Sequence, residues 1–311
     1  MYVSNTVKEK KMTDIIIIGG GPSGLTAAVY ALRSGKSVML FEKLSYGGQI
    51  SKSAEVENYP AISKISGMDF SMNLYNQAKS FGCEFRNERV SDVRDGEYKT
   101  VVTSKGEYEA KAVIFALGTE ERKSGLSNEE DYIGKGVSYC AFCDGNFFRK
   151  RDVMVVGGGN TAVQDALYLS ELCGKVYLMH RRDEFRAEKR LMEKVRAKEN
   201  VEIITNGVLN EIGGAPILKY VKIKDKVSEN VREIPVNGLF LAIGQIPGTK
   251  DFAHILPLDK YGYVDVNESC TVKGGIYVCG DCRKKDIRQL TTAVSDGTVA
   301  ATKAAEYIDL I

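Results

Sequence analysis

Asp14-Ile-Ile-Ile-Ile-Gly19-Gly-Gly21-Pro22-Ser23-Gly24 and Asp152-Val-Met-Val-Val-Gly157-Gly-Gly159-Asn160-Thr161-Ala162 are two versions of one phrase. Gly19, Gly21 and Gly24 align with Gly157, Gly159 and Ala162 at a single fixed offset. Each copy opens with four apolar residues, which suit a strand buried on both faces. Each continues into a helix-like stretch, Leu25–Arg33 and Val163–Leu172, and then into a second apolar strand, Val38–Phe41 and Val176–Met179. The expectation is an α/β protein built from two repeats of strand, tight turn, helix and strand.

The spaced glycines give the turn its chemistry. The first permits the tight turn, the second lets backbone approach a pyrophosphate, and the third allows close helix–strand packing, as in Rossmann-like dinucleotide-binding domains. The pyrophosphate sits over the helix N-terminus, where free N–H groups favour an anion. Glycine-rich turns that bind nothing are the alternative, and recurrence in matching context speaks against it. The residue ending each second strand separates the two ligands. Glu42 suits ribose hydroxyls and repels a 2′-phosphate; its counterpart is His180, followed by Arg181, Arg182 and Arg186, which suit that phosphate. The first unit is expected to take FAD and the second NADPH. A solvated helix face is the competing reading of Arg181–Arg190, since Glu184, Glu188 and Glu193 interleave with the bases.

The chain has 311 residues, and roughly 150 residues per domain suggests two domains. Lys and Arg number 43 against 41 Asp and Glu, so no strong field draws nucleic acid or an anionic membrane. No apolar run approaches the ~20 residues of a membrane helix, and Met1–Asp14 is too polar for a secretory signal. That tail is expected to be loose, with Met12 an alternative start, and the protein cytoplasmic. Two histidines and no Trp leave little for an imidazole-rich zinc site. Seven cysteines in a reducing compartment argue against a structural disulfide framework.

Cys140-Ala-Phe-Cys143-Asp144-Gly lies just ahead of the second glycine turn. In this context C-x-x-C reads as a redox pair, in which a lowered thiol pKa makes one sulfur nucleophilic and Asp144 can exchange the proton. A second pair, Cys279-Gly-Asp-Cys282, raises the rival of a four-cysteine zinc clasp. Zinc ribbons place their knuckles much closer in sequence. Cys83, Cys173 and Cys270 stand alone.

Together these residues resemble the low-molecular-weight, NADPH-dependent thioredoxin reductases over nearly the whole chain after Met12. The resemblance is carried by the first glycine turn, Gly47-Gly48-Gln49-Ile50, Glu57-Asn58-Tyr59-Pro60, the dithiol with its Asp-Gly, and the second glycine turn. It continues in His180-Arg-Arg-Asp-Glu-Phe-Arg186, Gly280-Asp281, Arg288-Gln289 and Thr291-Thr292-Ala293. It implies two Rossmann-like domains, with an NADPH domain (121–247) inserted into a discontinuous FAD domain (1–120 and 248–311). The apolar strands Ala112–Leu117 and Leu239–Ile243, ending at Gly118 and Gly244, are the expected crossovers. The implied FAD contacts are Gly19, Gly21, Pro22, Ser23, Gly24, Glu42, Lys43, Gly48, Gln49, Asn58 and Gly118. Gly280 and Asp281 would lie near the ribityl–phosphate region, and Arg288, Gln289 and Thr292 near the isoalloxazine. The implied NADPH contacts are Gly157, Gly159, Asn160, Thr161, Ala162, His180, Arg181, Arg182 and Arg186.

The resemblance further implies that Cys143 faces the flavin, Cys140 attacks a thioredoxin disulfide and Asp144 manages the proton, in a homodimer whose inserted domain rotates. The chain departs from the family pattern at Phe142, where a small residue is usual, at Ala61 in place of Gly, at Leu117 and Thr119, and at Cys282. Rival readings are a ferredoxin- or flavodoxin-linked relative, a ferredoxin–NADP reductase of the same fold, and the flavoprotein of a peroxide-reducing system. The first would lack the second fingerprint, the second would lack the dithiol, and the third would need a longer N-terminal region. A non-catalytic flavin redox sensor is the rival from a different class.

Overall fold

The computed structural model describes residues 12–53 and 55–311. Of the expected loose tail, Met1–Asp14, residues 1–11 lie outside the described residues. Thr13 and Asp14 already belong to the first strand, where Thr13 pairs with Ala110, so the expectation fails for them. The chain divides into two compact units. One runs to Ser53 and adds Tyr59–Glu120 and Ile246–Ile311; the other holds Glu121–Gln245 and the short stretch 55–58. The crossings therefore fall at 120/121 and 245/246, the second two residues before the expected one.

The first unit opens with β1 (Thr13–Ile18), α1 (Pro22–Arg33) and β2 (Val38–Glu42). Then come α2 (Gly67–Ser80), β3 (Glu84–Asn87), β4 (Val90–Arg94), β5 (Lys99–Thr103) and β6 (Gly106–Phe115). β1 runs parallel to β2 and β6, with Ile15 opposite Val38 and Ile17 opposite Ile114. Flanked on both edges and covered on both faces, Ile15–Ile18 are buried, as a continuous aliphatic run requires. Ser66 starts α2 by accepting a hydrogen bond from the Asp69 N–H. Ala61 has φ of 70°, a left-handed conformation that favours the glycine usual there.

β7 (Thr119–Glu121) spans the first crossing. The second unit contains β8 (Val137–Ser138), α3 (Ala141–Asp144), β9 (Val153–Val156), α4 (Asn160–Ser170), β10 (Val176–Met179), α5 (Lys189–Arg196) and β11 (Val201–Ile204). It goes on through β12 (Gly207–Gly213), β13 (Tyr220–Asp225), β14 (Val231–Pro235) and β15 (Gly238–Leu241). Its parallel sheet has the order β11-β10-β9-β15-β8, while β12, β13 and β14 form an antiparallel meander. Met154 and Leu239 pack with Ile212, Val221 and Ile234 of the meander. Val153 and Val155 point the other way, into a core with Val163, Ala166 and Leu169 of α4. β16 (Gln245–Pro247) pairs with β7 as the chain returns.

The first sheet is then completed by β17 (Thr271–Lys273) and β18 (Ile276–Val278), with β18 parallel to β6. The final helix, α6 (Leu290–Asp309), buries Ala293, Gly297, Ala300, Ala301 and Ala304. This small-residue face lets α6 approach the start of α1 so closely that a Cβ on Gly297 would lie 2.2 Å from the Ser23 carbonyl oxygen. Backbone stands there, and no side chain can swing away. Gly297→Ala is therefore expected to cost about 1–3 kcal/mol and lower the thermal midpoint by about 3–10 °C. An unchanged midpoint in thermal unfolding would show that the two helices tolerate separation.

Candidate active site and nucleotide cradles

Cys140 and Cys143 are joined by a disulfide, S–S 2.07 Å, with Cα atoms 5.3 Å apart. Cys140 caps the single turn α3, and the Cys143 N–H donates to Cys140 Sγ at 3.2 Å. That donor favours negative charge on the Cys140 sulfur once the pair is reduced. Asp144 closes the turn, its carboxylate accepting from Ser138 Oγ at 2.6 Å. Burial pushes the Asp144 carboxyl above its ordinary pKa, against the pull of the Ser138 hydrogen bond. Tyr139 turns the opposite way and donates to Glu129, which also accepts from the Ser124 N–H at 2.7 Å. Burial and Glu129 raise the Tyr139 phenol, so it stays a donor at neutral pH. Phe142, 48% exposed, stacks on Tyr168 of α4 with ring centroids 4.5 Å apart. The bulky residue between the cysteines is thus propped on a neighbouring helix at the surface.

In the first unit the glycine turn is forced by backbone. Gly19 has φ of 113°, and a Cβ on it would lie 2.2 Å from the Ala116 oxygen; one on Gly24 would lie 2.0 Å from the Gly19 oxygen. Gly21 precedes α1 and Pro22 fills its first position, leaving the helix N-terminus without a side-chain cap. Glu42 accepts from the Gly20 N–H of this turn at 2.8 Å and from the Leu44 N–H just beyond its own strand at 2.9 Å. Gly48 faces Gly21, and Gly280 faces Ser23 with room for no Cβ, 2.4 Å from the Ser23 hydroxyl. Asp281 Oδ1 is buried without a hydrogen bond, 3.3 Å from Lys285 Nζ. Burial raises the Asp281 carboxyl, and Lys285 opposes the shift. An open helix N-terminus, a ribose-suited carboxylate and a buried carboxylate held, among the described residues, only by the Lys285 ion pair fit a flavin dinucleotide.

Other expected flavin residues have local duties. Arg288 lies over the Tyr263 ring at 4.1 Å and donates to the Asp281 and Arg283 carbonyls, each at 3.2 Å. Gln289 and Thr292 form the capping box of α6. Gln49 donates to the Thr119 carbonyl at 3.1 Å, and Lys43 pairs with Glu120 at 2.9 Å on the surface. Gly118 takes φ of 62°. Asn58 is exposed and groups with the second unit. Sequence reasoning missed Lys285, although its i,i+4 spacing from Asp281 was a usable signal. It also missed Asp296, which pairs with both Lys285 and Arg283 and has no local signal.

The second unit repeats the turn. A Cβ on Gly157 would lie 2.4 Å from the Ala242 oxygen, Gly159 precedes α4, and Ala162 is buried beneath it, while Thr161 is exposed. The imidazole of His180 fills the space over Gly158, where a Cβ would come within 2.1 Å of its Cε1. His180 Nε2 is buried without a partner, and burial plus Arg186, Arg181 and Arg182 lower its pKa. The solvated-helix reading of Arg181–Arg190 does not match the structure, because α5 begins only at Lys189. The basic segment is instead a loop pinned onto the turn by the Arg186 N–H, which donates to the Gly158 carbonyl at 2.7 Å. Arg181, Arg182 and Arg186 are exposed, and no described carboxylate pairs with them. Asn160, expected on the nucleotide, exchanges hydrogen bonds with Glu188 at 3.0 and 2.9 Å. It therefore locks the far end of this loop to α4.

The family model for pyridine nucleotide-disulphide oxidoreductases matches residues 13–297. The chain is 41% identical over 304 residues to a thioredoxin reductase of Listeria innocua, covering 97% of this chain and 95% of that protein. It is 39% identical over 308 residues to one of Bacillus subtilis, with 97% of each chain covered. The crystal structure of a thioredoxin reductase from Streptococcus pyogenes superposes with a TM-score of 0.92 at 39% identity, covering 97% of this chain and 100% of that one. This chain belongs to the pyridine nucleotide-disulphide oxidoreductases. Within that family it stands among the thioredoxin reductases of low molecular weight, oxidoreductases that work with a flavin and a pyridine nucleotide.

The remaining cysteines are placed to stay silent. Cys83, Cys173, Cys270, Cys279 and Cys282 are free and buried. Burial pushes Cys279 well up, Cys282 to about 11 and Cys270 to about 12. No group of three or more metal-ligating side chains occurs among the described residues. After reduction, a bulky thiol reagent should label two of the seven cysteines rapidly in the native protein and all seven only in denaturant. Rapid native labelling of Cys279 or Cys282 would contradict this assignment.

Proposed function

We propose that this protein is an NADPH-dependent thioredoxin-disulfide reductase, holding FAD in the first unit and NADPH in the second. The observation that carries the reading is the Cys140–Cys143 disulfide, set one turn from a buried carboxyl and directly before the second glycine turn. Together the bound cofactors supply a hydride route that ends in two electrons for a disulfide.

The chain's own residues do the rest. The N-termini of α1 and α4 receive the two pyrophosphates, and Glu42 receives the adenosine ribose of the flavin nucleotide. Asp281, paired with Lys285, offers its carboxylate to the ribityl chain. The loop Arg181–Arg186, pinned over Gly158, presents three cations to a 2′-phosphate. On reduction the Cys140–Cys143 bond takes up two electrons and two protons. Cys140 passes its proton to Asp144, and its thiolate, stabilised by the Cys143 N–H, attacks one sulfur of the thioredoxin disulfide and releases the other as a thiolate, which takes that proton from Asp144. Cys143 then attacks Cys140 Sγ, its proton going to the second departing sulfur, which frees reduced thioredoxin and restores the disulfide.

The second unit carries both the dithiol and the nicotinamide cradle, so each must be presented to the flavin in turn. The crossings at 120/121 and 245/246 are the natural hinge. The resemblance also points to a cytoplasmic homodimer, and no described helix is long and apolar enough to cross a membrane.

Separating the half-reactions tests the assignment. In Cys143→Ser, NADPH should still bleach the flavin absorbance at a near-normal rate while thioredoxin reduction disappears; residual turnover would exclude Cys143 as the resolving sulfur. Sustained NADPH consumption with thioredoxin by the intact protein separates a reductase from a redox sensor. Replacing Arg181 and Arg182 with Ala should raise the KM for NADPH by about 10–100-fold and leave that for NADH within about twofold. An equal loss for both would remove the 2′-phosphate from these residues.

A further inference from the structure

Ser138 is 5% exposed at the end of β8, and its hydroxyl touches three groups of the redox turn. It donates to Asp144 Oδ2 at 2.6 Å, accepts from the Cys140 N–H at 3.0 Å, and lies 3.3 Å from the Cys140 carbonyl oxygen. We infer that Ser138 is a positioning residue that holds the Asp144 carboxyl beside the dithiol in both of its protonation states. This rests on the reading of Asp144 as the proton-handling group.

The argument is one of donors and acceptors. With Asp144 ionised, the serine proton points at Oδ2 and the Cys140 N–H fills the serine lone pair. When Asp144 takes up a proton, Oδ2 becomes the donor, and the serine must accept. Its own proton then has a second acceptor in the Cys140 carbonyl, reached by rotation about one bond. One proton arrives on the carboxyl and none leaves the serine, so the relay is balanced. A buried proton carrier without such a rotor would break a hydrogen bond in one state, at the full desolvation cost of the orphaned group.

The surroundings leave this role to Ser138. Tyr139 is committed to Glu129, and β15 beside β8 carries Gly238, Leu239, Phe240 and Leu241, none of them titratable. α4, packed against α3, carries Asp165 and Tyr168, and burial pushes Asp165 to about 7. The described residues offer Asp144 no ion-pair partner.

The test is the pH profile of kcat/KM for oxidised thioredoxin in the holoenzyme, with Ser138→Ala, Ser138→Thr, Asp144→Asn and the Ala/Asn double variant, alongside flavin reduction by NADPH. Asp144 acts as an acid below its pKa, so activity falls as pH rises through it. The serine donor favours the ionised form, and its removal should raise that pKa. Ser138→Ala is expected to move the high-pH limb up by about one unit, to lower kcat/KM about tenfold, and to leave flavin reduction by NADPH within about twofold. Ser138→Thr should keep the wild-type limb, and Ser138→Ala should add nothing to Asp144→Asn. An unmoved limb in Ser138→Ala, or an equal loss in the Asn background, overturns the inference while Asp144 keeps its role. A wild-type limb in Asp144→Asn removes the role of Asp144 itself. If Ser138→Ala does not fold, a displaced limb in Ser138→Thr overturns the inference.

Discussion

At the first glycine of each turn a backbone carbonyl stands where a side chain would otherwise begin. The oxygen of Ala116, just past β6, crowds Gly19, and the oxygen of Ala242, just past β15, crowds Gly157. Neither position can carry a Cβ, and the reason lies in the neighbouring strand. The turn can leave its strand so abruptly only because the next strand's backbone lies against it. Once it does, α1 and α4 begin with bare N–H groups, and an anion is the ligand such an end prefers. The glycine pattern, the helix position and the identity of the ligand therefore share one steric cause.

Around this common frame the two cradles are finished by different means. The first draws in distant segments: Gly48 packs on Gly21, Gly280 packs on Ser23, and Gly297 lets α6 close over the start of α1. Asp281 reaches its place as part of that closure, with Lys285 opposing its charge while also pairing with Asp296. The second is finished locally by the loop after β10. Arg186 fastens that loop over Gly158, and Asn160 fastens it to Glu188. His180 fills the space above the middle glycine. The redox turn is held in a third way, by consecutive side chains. Ser138 and Tyr139 reach opposite carboxylates, Asp144 and Glu129, and so fix the backbone that enters Cys140.

The legible parts of the fold were those with a local cause. Ile15–Ile18 and Val153–Val156 announce buried strands, and the spaced glycines announce the turns between strand and helix. Glu42 and the basic run after His180 could be placed because they end strands whose lengths were already known. What escaped was set by long-range contact. The pairing of Asn160 with Glu188 is one case, in a loop whose path no local rule predicts. The interleaved charges from Arg181 to Glu193 have helical spacing, but the segment is anchored to the glycine turn and winds into a helix only at Lys189.

The sequence by itself determined the architecture of repeated units, the dithiol and the sign of charge at each cradle, because these depend on period, spacing and residue type. Tertiary structure alone decided which buried polar groups would meet. Ser138 faces Asp144, Asp281 keeps an oxygen without a hydrogen bond, and Cys279 and Cys282 lie sealed in the core. A hydrogen bond needs its partner within about 3 Å, and the chain reaches that precision only after distant strands and helices have packed.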